Sequence, residues 1–342
     1  MRGLVSLSLW IGAVSLCHAD PLFESHVPLN IRLEAPLQSM ARDRASEPQE
    51  HAGSFSYTEA DGTLVRFAIL VRPRGKNRRL REVCQFPPLR LNFKKGEVKG
   101  TLFKKQDKLK LVTHCASMAS KSTRASDHLW LEYLAYRIYN QITDKSFRVR
   151  PLVISYLDTK SQREYAQPGF LIESNERLAH RLDTNVFEQN AIHPRELHDD
   201  SQLVELLQYL LGNTDFSLIR GPQGDRCCHN MLLMGETPQF LPVPYDFDIT
   251  GFVNRPGSVP AEGLGIRRVT QRIYRGFCRE PALLEQAVAR YVDERVAIVT
   301  LIEEQATLSD SSKSKARKFL DRFYDTLGNP KDFERRIVKR CR

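Results

Sequence analysis

The feature that most constrains the fold is a change in the spacing of apolar residues along the chain. Apolar and polar residues alternate in residues 89–93 and 108–112, and a more apolar stretch covers 64–71. A period of two is typical of half-buried β-strands. In residues 128–141 the apolar positions recur at i, i+3, i+4 and i+7, which predicts an α-helix. Helical spacing returns in 201–211, 280–305 and 311–327. The sequence therefore predicts the α+β class, with strands before helices.

This order predicts two lobes with a cleft between them. Residues 20–54 are rich in proline and charge, and we expect them to form an N-terminal arm. Residues 55–173 form the expected β-rich N-lobe with one helix, because strand patterns at 148–157 and 169–173 follow that helix. Residues 174–342 form the expected helical C-lobe, which also carries the polar loops described below.

The first 19 residues have the pattern of a cleaved secretory signal peptide. Arg2 precedes an apolar run of 13 residues (4–16), and Cys17-His18-Ala19 provides small residues at the cleavage positions. This run is shorter than the about 20 residues that span a bilayer, and no later segment is long and apolar enough. We therefore expect a periplasmic or secreted protein without a transmembrane segment after cleavage. Lipidation of Cys17 is a rival interpretation, which the bulky Leu16 disfavours.

Cysteine usage agrees with an oxidising compartment. Seven cysteines are present, and removal of Cys17 with the signal peptide leaves six. An even number in an exported chain predicts disulfides rather than catalytic thiols or zinc ligands. The adjacent pair Cys227-Cys228 lacks the C-x2-C spacing with which two thiolates chelate one ion. Cys84 with Cys115 is the preferred bridge, because both flank neighbouring predicted strands.

Composition and charge exclude several classes of protein. With 41% hydrophobic and 27% charged residues, the 342-residue chain is neither a disordered protein nor a multi-span membrane protein. The net charge of +10 becomes +9 when the signal peptide, with Arg2, is removed. A nucleic acid is one kind of partner that binds a chain with this positive charge. However, aromatic residues are not interleaved with the basic run 72–81, and an exported protein rarely meets nucleic acid, so we expect none.

Three short segments place polar residues at the ends of apolar elements. Asp215 follows an apolar helix, Asn230 precedes the apolar run 231–234, and Asp246 and Asp248 follow a short predicted strand. Phosphoryl transfer requires one carboxylate that orients or deprotonates the acceptor hydroxyl, and an amide and a further carboxylate that hold Mg²⁺ against the phosphates. Each residue alone is better explained as a turn or loop residue, but the ordered set favours phosphoryl transfer.

These segments resemble the active-site segments of the spore-coat CotH-like kinases, and more remotely those of HipA-like kinases. The resemblance extends from about residue 65 to 255 and includes a glycine turn at 74–77 and a hinge strand at 170–173. Segments such as FPPLRLNFKK, KLKLVTHC and PVPYDFD are closer still to an exported bacterial subgroup. The resemblance implies a two-lobed protein-kinase-like fold, a β-rich N-terminal lobe with an α-helical C-terminal lobe. It also implies transfer from ATP, or another nucleotide, with Mg²⁺ or Mn²⁺.

Residue by residue, the resemblance makes Asp215 the catalytic aspartate, with Asn230 and Asp246 as metal ligands and Asp248 as a second carboxylate. A lysine on the strand before the first helix should hold the phosphates, oriented by a carboxylate of that helix. The residues that match the nucleotide-binding positions are Arg74 and Gly75 of the turn, Lys108 and Lys110 of the strand, Glu132 of the helix and Glu173 of the hinge. The basic residues around the single glycine could replace backbone amides as phosphate ligands, since guanidinium groups chelate phosphate.

The sequence departs from the kinase pattern in one place. The catalytic aspartate normally precedes the asparagine by about five residues, whereas Asp215 lies fifteen before Asn230. Asp225 satisfies the usual spacing and is the alternative catalytic residue. We prefer Asp215 because of its position after an apolar helix, and expect residues 216–228 to loop out.

Other functions remain open from the sequence. A catalytically inactive kinase fold that binds a ligand or an envelope partner is the main alternative to an exported kinase-like phosphotransferase. A metal-dependent hydrolase built on Asp215, Asp246 and Asp248 is another, although it lacks the histidine ligands typical of such sites. The sequence does not identify the acceptor, for which an exported protein is one candidate. It also does not decide whether a phosphoryl group or AMP is transferred.

Overall fold

The computed structural model describes residues 20–236 and 238–342, so the predicted signal peptide lies outside the described residues. Within that range, no helix combines the length and apolar character needed to cross a bilayer. Seven strands form a closed barrel in the spatial order β1-β2-β3-β4-β5-β7-β6. They are β1 (Leu29–Ala35), β2 (His51–Thr58), β3 (Leu64–Pro73), β4 (Leu89–Phe93), β5 (Lys108–Thr113), β6 (Val149–Asp158) and β7 (Glu164–Ile172).

Closure of this barrel shows that the prediction of a two-lobed protein-kinase-like fold is wrong. β1 lies within residues 20–54, the segment expected to be an arm, and it pairs antiparallel with β2 and parallel with β6. Because β1 joins two strands that would otherwise be edges, the sheet closes on itself. Both strands and helices are present, as an α+β chain requires. Division of the chain into domains at residue 174 stays a prediction.

The barrel interior is filled by apolar side chains that alternate along each strand. A group of aromatic rings packs in or near edge-to-face contact, with the Phe55 and Phe93 centroids 5.3 Å apart and those of Phe55 and Phe103 5.0 Å apart. β5 and β7 are buried on both faces: Leu111 and Leu171 belong to the barrel core, while Val112 and Phe170 belong to the core of the helical part. These strands therefore join the two cores.

The helices pack against this side of the barrel. Helix α3 (Thr123–Ile142) is buried over most of its length and contacts β6, β7 and α5. Asp127 lies in its first half, and its carboxylate accepts hydrogen bonds from Ser309 and Ser312 at the start of α8. The other helices are α1 (Pro21–Glu24), α2 (Leu37–Arg42), α4 (Asn175–Arg181), α5 (Ser201–Leu211), α6 (Pro281–Asp293), α7 (Arg295–Glu303), α8 (Asp310–Gly328) and α9 (Pro330–Arg336).

A second, three-stranded antiparallel sheet lies among the helices. It has the order β10-β9-β8, with β8 (Asn185–Val186), β9 (Met231–Glu236) and β10 (Gln239–Pro244). Its buried residues, including Leu233 and Val243, belong to the same core as α3 and α5. The part of the chain expected to be a helical lobe therefore contains a hairpin, and that hairpin positions the candidate site.

All six cysteines of the described chain are at disulfide distance from a partner. The predicted bridge Cys84–Cys115 is confirmed, and the other pairs are Cys227–Cys228 and Cys278–Cys341. The first bridge attaches the long loop between β3 and β4 to the residues that follow β5. These bridges agree with the expected oxidising compartment.

Candidate active site

The β9–β10 hairpin brings together the chain segments that carry Asn230 and Asp246. Met231, the first residue of β9, lies opposite Pro244, the last of β10. The Tyr245 amide then donates to the carbonyl of Asn230 over 3.0 Å, so the pairing continues into the residues that flank both strands. Asn230 and Asp246 both have positive φ, 54° and 63°. Such left-handed residues other than glycine are uncommon and are concentrated at functional sites.

Asp215 reaches the same place from the end of α5. Gly212 has a φ of 61° and ends the helix, and its amide donates to Tyr209 while the Asn213 amide donates to Gln208. This pair of bonds is the Schellman motif, which turns the chain sharply away from the helix axis. The side-chain oxygen of Asn213 then accepts from the Asp215 amide over 2.9 Å. The apolar helix and its glycine cap therefore hold Asp215 in a defined position.

Asp215 contacts the two residues that directly precede β9. The His229 Nε2 atom lies 2.8 Å from Asp215 Oδ1, and Asn230 Nδ2 donates to Asp215 Oδ2 over 3.0 Å. The hydrogen bond from the His229 ring to the Asp215 carboxylate raises the pKa of His229, against the effect of burial. Because the Asn230 amide nitrogen faces Asp215, its amide oxygen keeps its lone pairs for another ligand.

The structure separates the two candidate catalytic aspartates. Ser217 and His229 form an antiparallel bridge, so the intervening residues loop out as expected and bring Asp215 next to Asn230. Asp225 lies on that loop and pairs with Lys76, whose side chain is 82% exposed. Neither Asn230 nor His229 bonds to Asp225. The geometry thus places Asp215, rather than Asp225, among the other site residues.

Arg78 was expected only as one of several basic residues that could bind phosphate, and its role among the carboxylates was not predicted. It lies in the short 3₁₀ turn Asn77–Arg79 of the β3–β4 loop. Its guanidinium group contacts three carboxylates: Asp248 at 2.7 Å, Glu132 at 2.9 Å and Asp246 at 3.3 Å. Glu132 was expected to orient a lysine of β5, but Arg78 takes that place. The basic run 72–81 was visible in the sequence, although nothing in it distinguishes the one buried arginine.

The three carboxylates differ in their surroundings. Burial, with the nearby Asp248 and Asp246, raises the pKa of Glu132 to about 7 although Arg78 opposes this. Asp248 is also buried, but Arg78 and Arg255 hold its pKa below the usual value. Arg255 Nη1 lies 3.0 Å from the same Asp248 oxygen as Arg78. Asp246 is the exposed member, with 45% of its side chain accessible, and is the carboxylate best placed to meet a ligand.

Two further cations face Asp246. Lys110 lies over the rings of Tyr245 and Phe147, with its Nζ 5.0 Å and 5.5 Å from the ring centroids, and donates to Asn175 over 3.3 Å. Burial and the charge of Arg74 lower the pKa of Lys110 to about 8, although Asp246 opposes this. Burial also lowers the pKa of Arg74. Among the described residues, the Arg74 side chain has neither an ion pair nor a hydrogen bond, so its donors are available to an anion.

The remaining predicted nucleotide-binding residues lie in different environments. Gly75 has a φ of 91°, which permits the tight turn between Arg74 and Lys76. Lys108 is exposed on β5. Glu173 is fully buried, and its carboxylate binds Arg181 in a bidentate pair at 3.0 Å and 2.9 Å. The Glu173 carboxylate is therefore used to join β7 to α4, and the structure does not bring it to Asp246.

The oxygen atoms at this site fit a hard cation bound together with phosphates. No group of three His, Cys, Asp or Glu side chains within residues 20–236 and 238–342 is arranged to hold an ion by itself. Mg²⁺ in nucleotide sites commonly takes only one or two protein carboxylates, and phosphate and water oxygens complete its shell. Asp246 and the Asn230 amide oxygen fit that donor set, whereas Asp248 is already held by two arginines.

Comparison with known proteins adds no family assignment. No protein-family model matches the sequence, and no curated protein matches it. The resemblance to CotH-like kinases therefore depends on the segments quoted above, and the function is argued below from the geometry of the site.

Proposed function

We propose that this protein is an exported phosphotransferase that uses a metal–nucleotide complex to modify an acceptor hydroxyl. The observation that carries the proposal is the assembly of Asp215, Asn230 and Asp246 at one end of the β9–β10 hairpin. These three residues come from separate parts of the chain and supply the groups that phosphoryl transfer uses. The likeness of their segments to those of CotH-like kinases supports ATP as the nucleotide and Mg²⁺ or Mn²⁺ as the metal.

The charges around these residues support a phosphorylated ligand. Arg74 and Lys110 face Asp246 from the barrel side, and neither forms an ion pair with it within 4 Å. Unpaired guanidinium and ammonium donors next to an oxygen donor set suit phosphate groups, since guanidinium binds phosphate in a bidentate manner. The sequence predicted that a strand lysine, oriented by a carboxylate of the first helix, holds the phosphates. In this proposal Arg74 and Lys110 bind the phosphates, and Arg78 orders the carboxylates.

In the proposed reaction, an acceptor hydroxyl lies against Asp215. The Asp215 carboxylate orients this hydroxyl and takes its proton as the acceptor oxygen forms a bond to the γ-phosphorus, while the bond from that phosphorus to the bridging oxygen breaks and ADP leaves. His229 and Asn230 hold the carboxylate in place. Asp246 and Asn230 would hold the metal, which supplies charge neutralisation for the phosphates. Arg74 and Lys110 bind phosphate oxygens and limit their repulsion of the incoming oxygen.

Incubation with γ-labelled ATP and Mg²⁺ or Mn²⁺ tests this proposal. Wild-type protein should release ADP and transfer label to itself, to water or to an added exported protein fraction. Asp215→Asn should bind the nucleotide as tightly as wild type but transfer label at least about 100-fold more slowly, since a positioned base contributes about 10²- to 10⁴-fold. Equal rates for the two proteins would contradict the role of Asp215.

A second candidate function, binding without transfer, is favoured by one observation. Arg78 pairs with Asp246, the carboxylate assigned to the metal, at 3.3 Å. An arginine in that position neutralises the carboxylate without a metal ion. Such an arrangement suits a site that binds an anionic ligand but performs no chemistry. Nucleotide binding that is independent of metal, with no release of ADP, would support this second function.

The proposed location is the periplasm or the exterior of the cell. Its support is the disulfide pairing of all six described cysteines, since such bridges persist in oxidising compartments. An exported protein is accordingly one candidate acceptor. Fractionation of cells that produce the full chain, followed by detection with an antibody, should find the protein outside the cytoplasm.

A further inference from the structure

A second cationic site lies where the α1–β1 connection meets α3 and the start of β6. A cavity of about 270 Å³ is bounded there by His26, Arg137 and Arg148, together with polar residues of the α3–β6 connection. None of these residues belongs to the candidate active site. Arg150, the second residue of β6, lies behind the cavity and donates to the carbonyl of Ser25 over 2.8 Å.

The arginines at this cavity are buried without carboxylate partners. Arg137 is 7% exposed and Arg150 is 6% exposed, and neither has an ion pair among the described residues. The Nε atom of each is buried and has no hydrogen-bond acceptor. Arg78, by comparison, is similarly buried but contacts three carboxylates. A buried charge without a partner is destabilising, so the arrangement indicates that an anion completes it.

The other charged groups around the cavity leave it positive. Arg148 also lines the cavity and has no side-chain ion pair within the described part of the chain, so two arginines line the cavity and Arg150 lies behind them. Glu24 and Asp144 line the same cavity, but neither lies within 4 Å of an arginine nitrogen as an ion pair. His26 is neutral at physiological pH because burial and the three arginines lower its pKa to about 4. Three positive charges thus face two negative ones.

We propose that this cavity binds a phosphate group, held by Arg137 and Arg148 with Arg150 behind them. Guanidinium groups bind tetrahedral oxyanions through paired N–H donors, and the Nε atom of Arg137, which has no acceptor among the described residues, is a donor of this kind. Pockets for drug-sized ligands measure about 300 to 1,000 Å³, so this cavity suits a small phosphorylated molecule or a single lipid headgroup rather than a nucleotide. The site is independent of the phosphotransferase activity proposed above.

Thermal unfolding and calorimetric titration with inorganic phosphate test this site, with chloride at equal ionic strength as the reference. Phosphate should raise the Tm of the wild-type protein, and Arg148→Gln should weaken its affinity at least about tenfold, because one of the direct phosphate ligands is lost. Arg163→Gln is the matched control: it removes the same charge at an exposed position in the β6–β7 turn, outside both sites, and should keep this response. Unchanged affinity in Arg148→Gln, or an equal loss of affinity in Arg163→Gln, would overturn the proposal.

Arg137→Gln gives a second readout that does not depend on one variant folding well. In chloride its Tm should equal or exceed that of wild type, since a buried unpaired charge is removed, whereas in phosphate its Tm should fall below that of wild type. A lower Tm for Arg137→Gln in both buffers, by the same amount, would mean that the arginine is only structural.

Vesicles distinguish the source of the phosphate. If it belongs to a lipid, vesicles of phosphatidylglycerol should bind wild-type protein and Arg163→Gln more strongly than Arg148→Gln, and phosphatidylcholine vesicles should bind none of them strongly. A response to inorganic phosphate without this difference identifies a free phosphate or a phosphomonoester. No dependence on Arg148 in either arm contradicts the site.

Discussion

Arg78 Nη2 lies 2.9 Å from Glu132 Oε1, and both side chains are almost fully buried. An arginine of the β3–β4 loop thus pairs with the carboxylate of α3, in the place where a lysine of β5 was expected. Because the same guanidinium group contacts Asp246 and Asp248, it connects the barrel loop, α3 and the residues that follow β10. The order of the candidate site depends on this contact.

Arg78→Ala should reduce the free energy of unfolding by about 3 to 5 kcal/mol, because it leaves Glu132 and Asp248 as buried carboxylates without that partner. Chemical denaturation at pH 7 measures this change. Lys76→Ala is the control: the neighbouring pair with Asp225 is exposed, so its loss should change stability by less than about 1 kcal/mol. Similar effects of the two substitutions would show that the Arg78 contacts contribute little.

Asp215→Asn and Asp225→Asn should differ strongly in phosphate transfer. His229 and Asn230 bind Asp215, whereas Asp225 pairs with an exposed lysine. We expect transfer to fall at least about 100-fold in Asp215→Asn and to stay within about twofold of wild type in Asp225→Asn. A labelled-ATP assay compares them at equal protein concentration. Loss of transfer only in Asp225→Asn would reverse the assignment.

Nucleotide affinity should fall as pH rises from 7 to 9.5. Burial and Arg74 lower the pKa of Lys110 to about 8, so its ammonium group loses its proton, and its attraction for phosphate, within this range. Lys110→Arg should bind nucleotide with little dependence on pH, since arginine stays charged. Lys108→Met, at an exposed position on the same strand, should behave like wild type. Calorimetric titration at several pH values measures this, and an equal decline in Lys110→Arg would refute the role of Lys110.

His229 should titrate above its usual pKa, which is about 6.5, because its hydrogen bond to Asp215 favours the protonated ring. A raised pKa in the folded state means that the stabilising effect of this pair is fully present below pH 6.5 and is lost as pH rises through the folded pKa. NMR titration of the histidine ring measures the pKa directly. In Asp215→Asn the pKa of His229 should decrease. An unchanged pKa would show that Asp215 does not stabilise the protonated ring.

The Cys84–Cys115 bridge should hold the loop that carries Arg74 and Arg78. The bridge joins residues 31 positions apart, and closing a loop of this size stabilises a fold by about 2 to 4 kcal/mol. Replacing both cysteines by alanine should therefore reduce the free energy of unfolding by a similar amount and weaken nucleotide binding. Replacing Cys278 and Cys341 is the control, since that bridge joins no residue of this loop. Equal losses of nucleotide affinity in both variants would contradict a local effect.

The strands of the barrel could be predicted only where local pattern was sufficient. The alternation in 89–93 and 108–112 correctly predicts β4 and β5. Residues 29–35 alternate as regularly, but the proline and charge around them outweigh that pattern. One of the two partners of β1 is β6, more than a hundred residues later. Closure of a barrel depends on such a distant pairing, which no local period reveals, and the expected two-lobed fold failed for this reason.

The candidate site was predictable where residues sit at the ends of elements. Asp215, Asn230 and Asp246 follow or precede apolar runs, and the structure brings them together. Arg78 could not be selected, because its neighbours in the basic run carry the same charge and only the fold decides which side chain turns inward. Glu173 is the opposite case. Its carboxylate also follows a strand, but it forms an ion pair with Arg181 and does not join the site.

The most direct test of the account is the thermal stability of wild-type protein and Asp246→Asn with ATP and Mg²⁺. Asparagine tolerates the left-handed conformation at this position, so the variant should fold. At a nucleotide concentration of about 100 Kd, wild type should gain about 2.7 kcal/mol, seen as a higher Tm that requires both ATP and Mg²⁺, while Asp246→Asn should gain little. An absent shift in wild type, or an equal shift in both proteins, would contradict a metal–nucleotide site at Asp246.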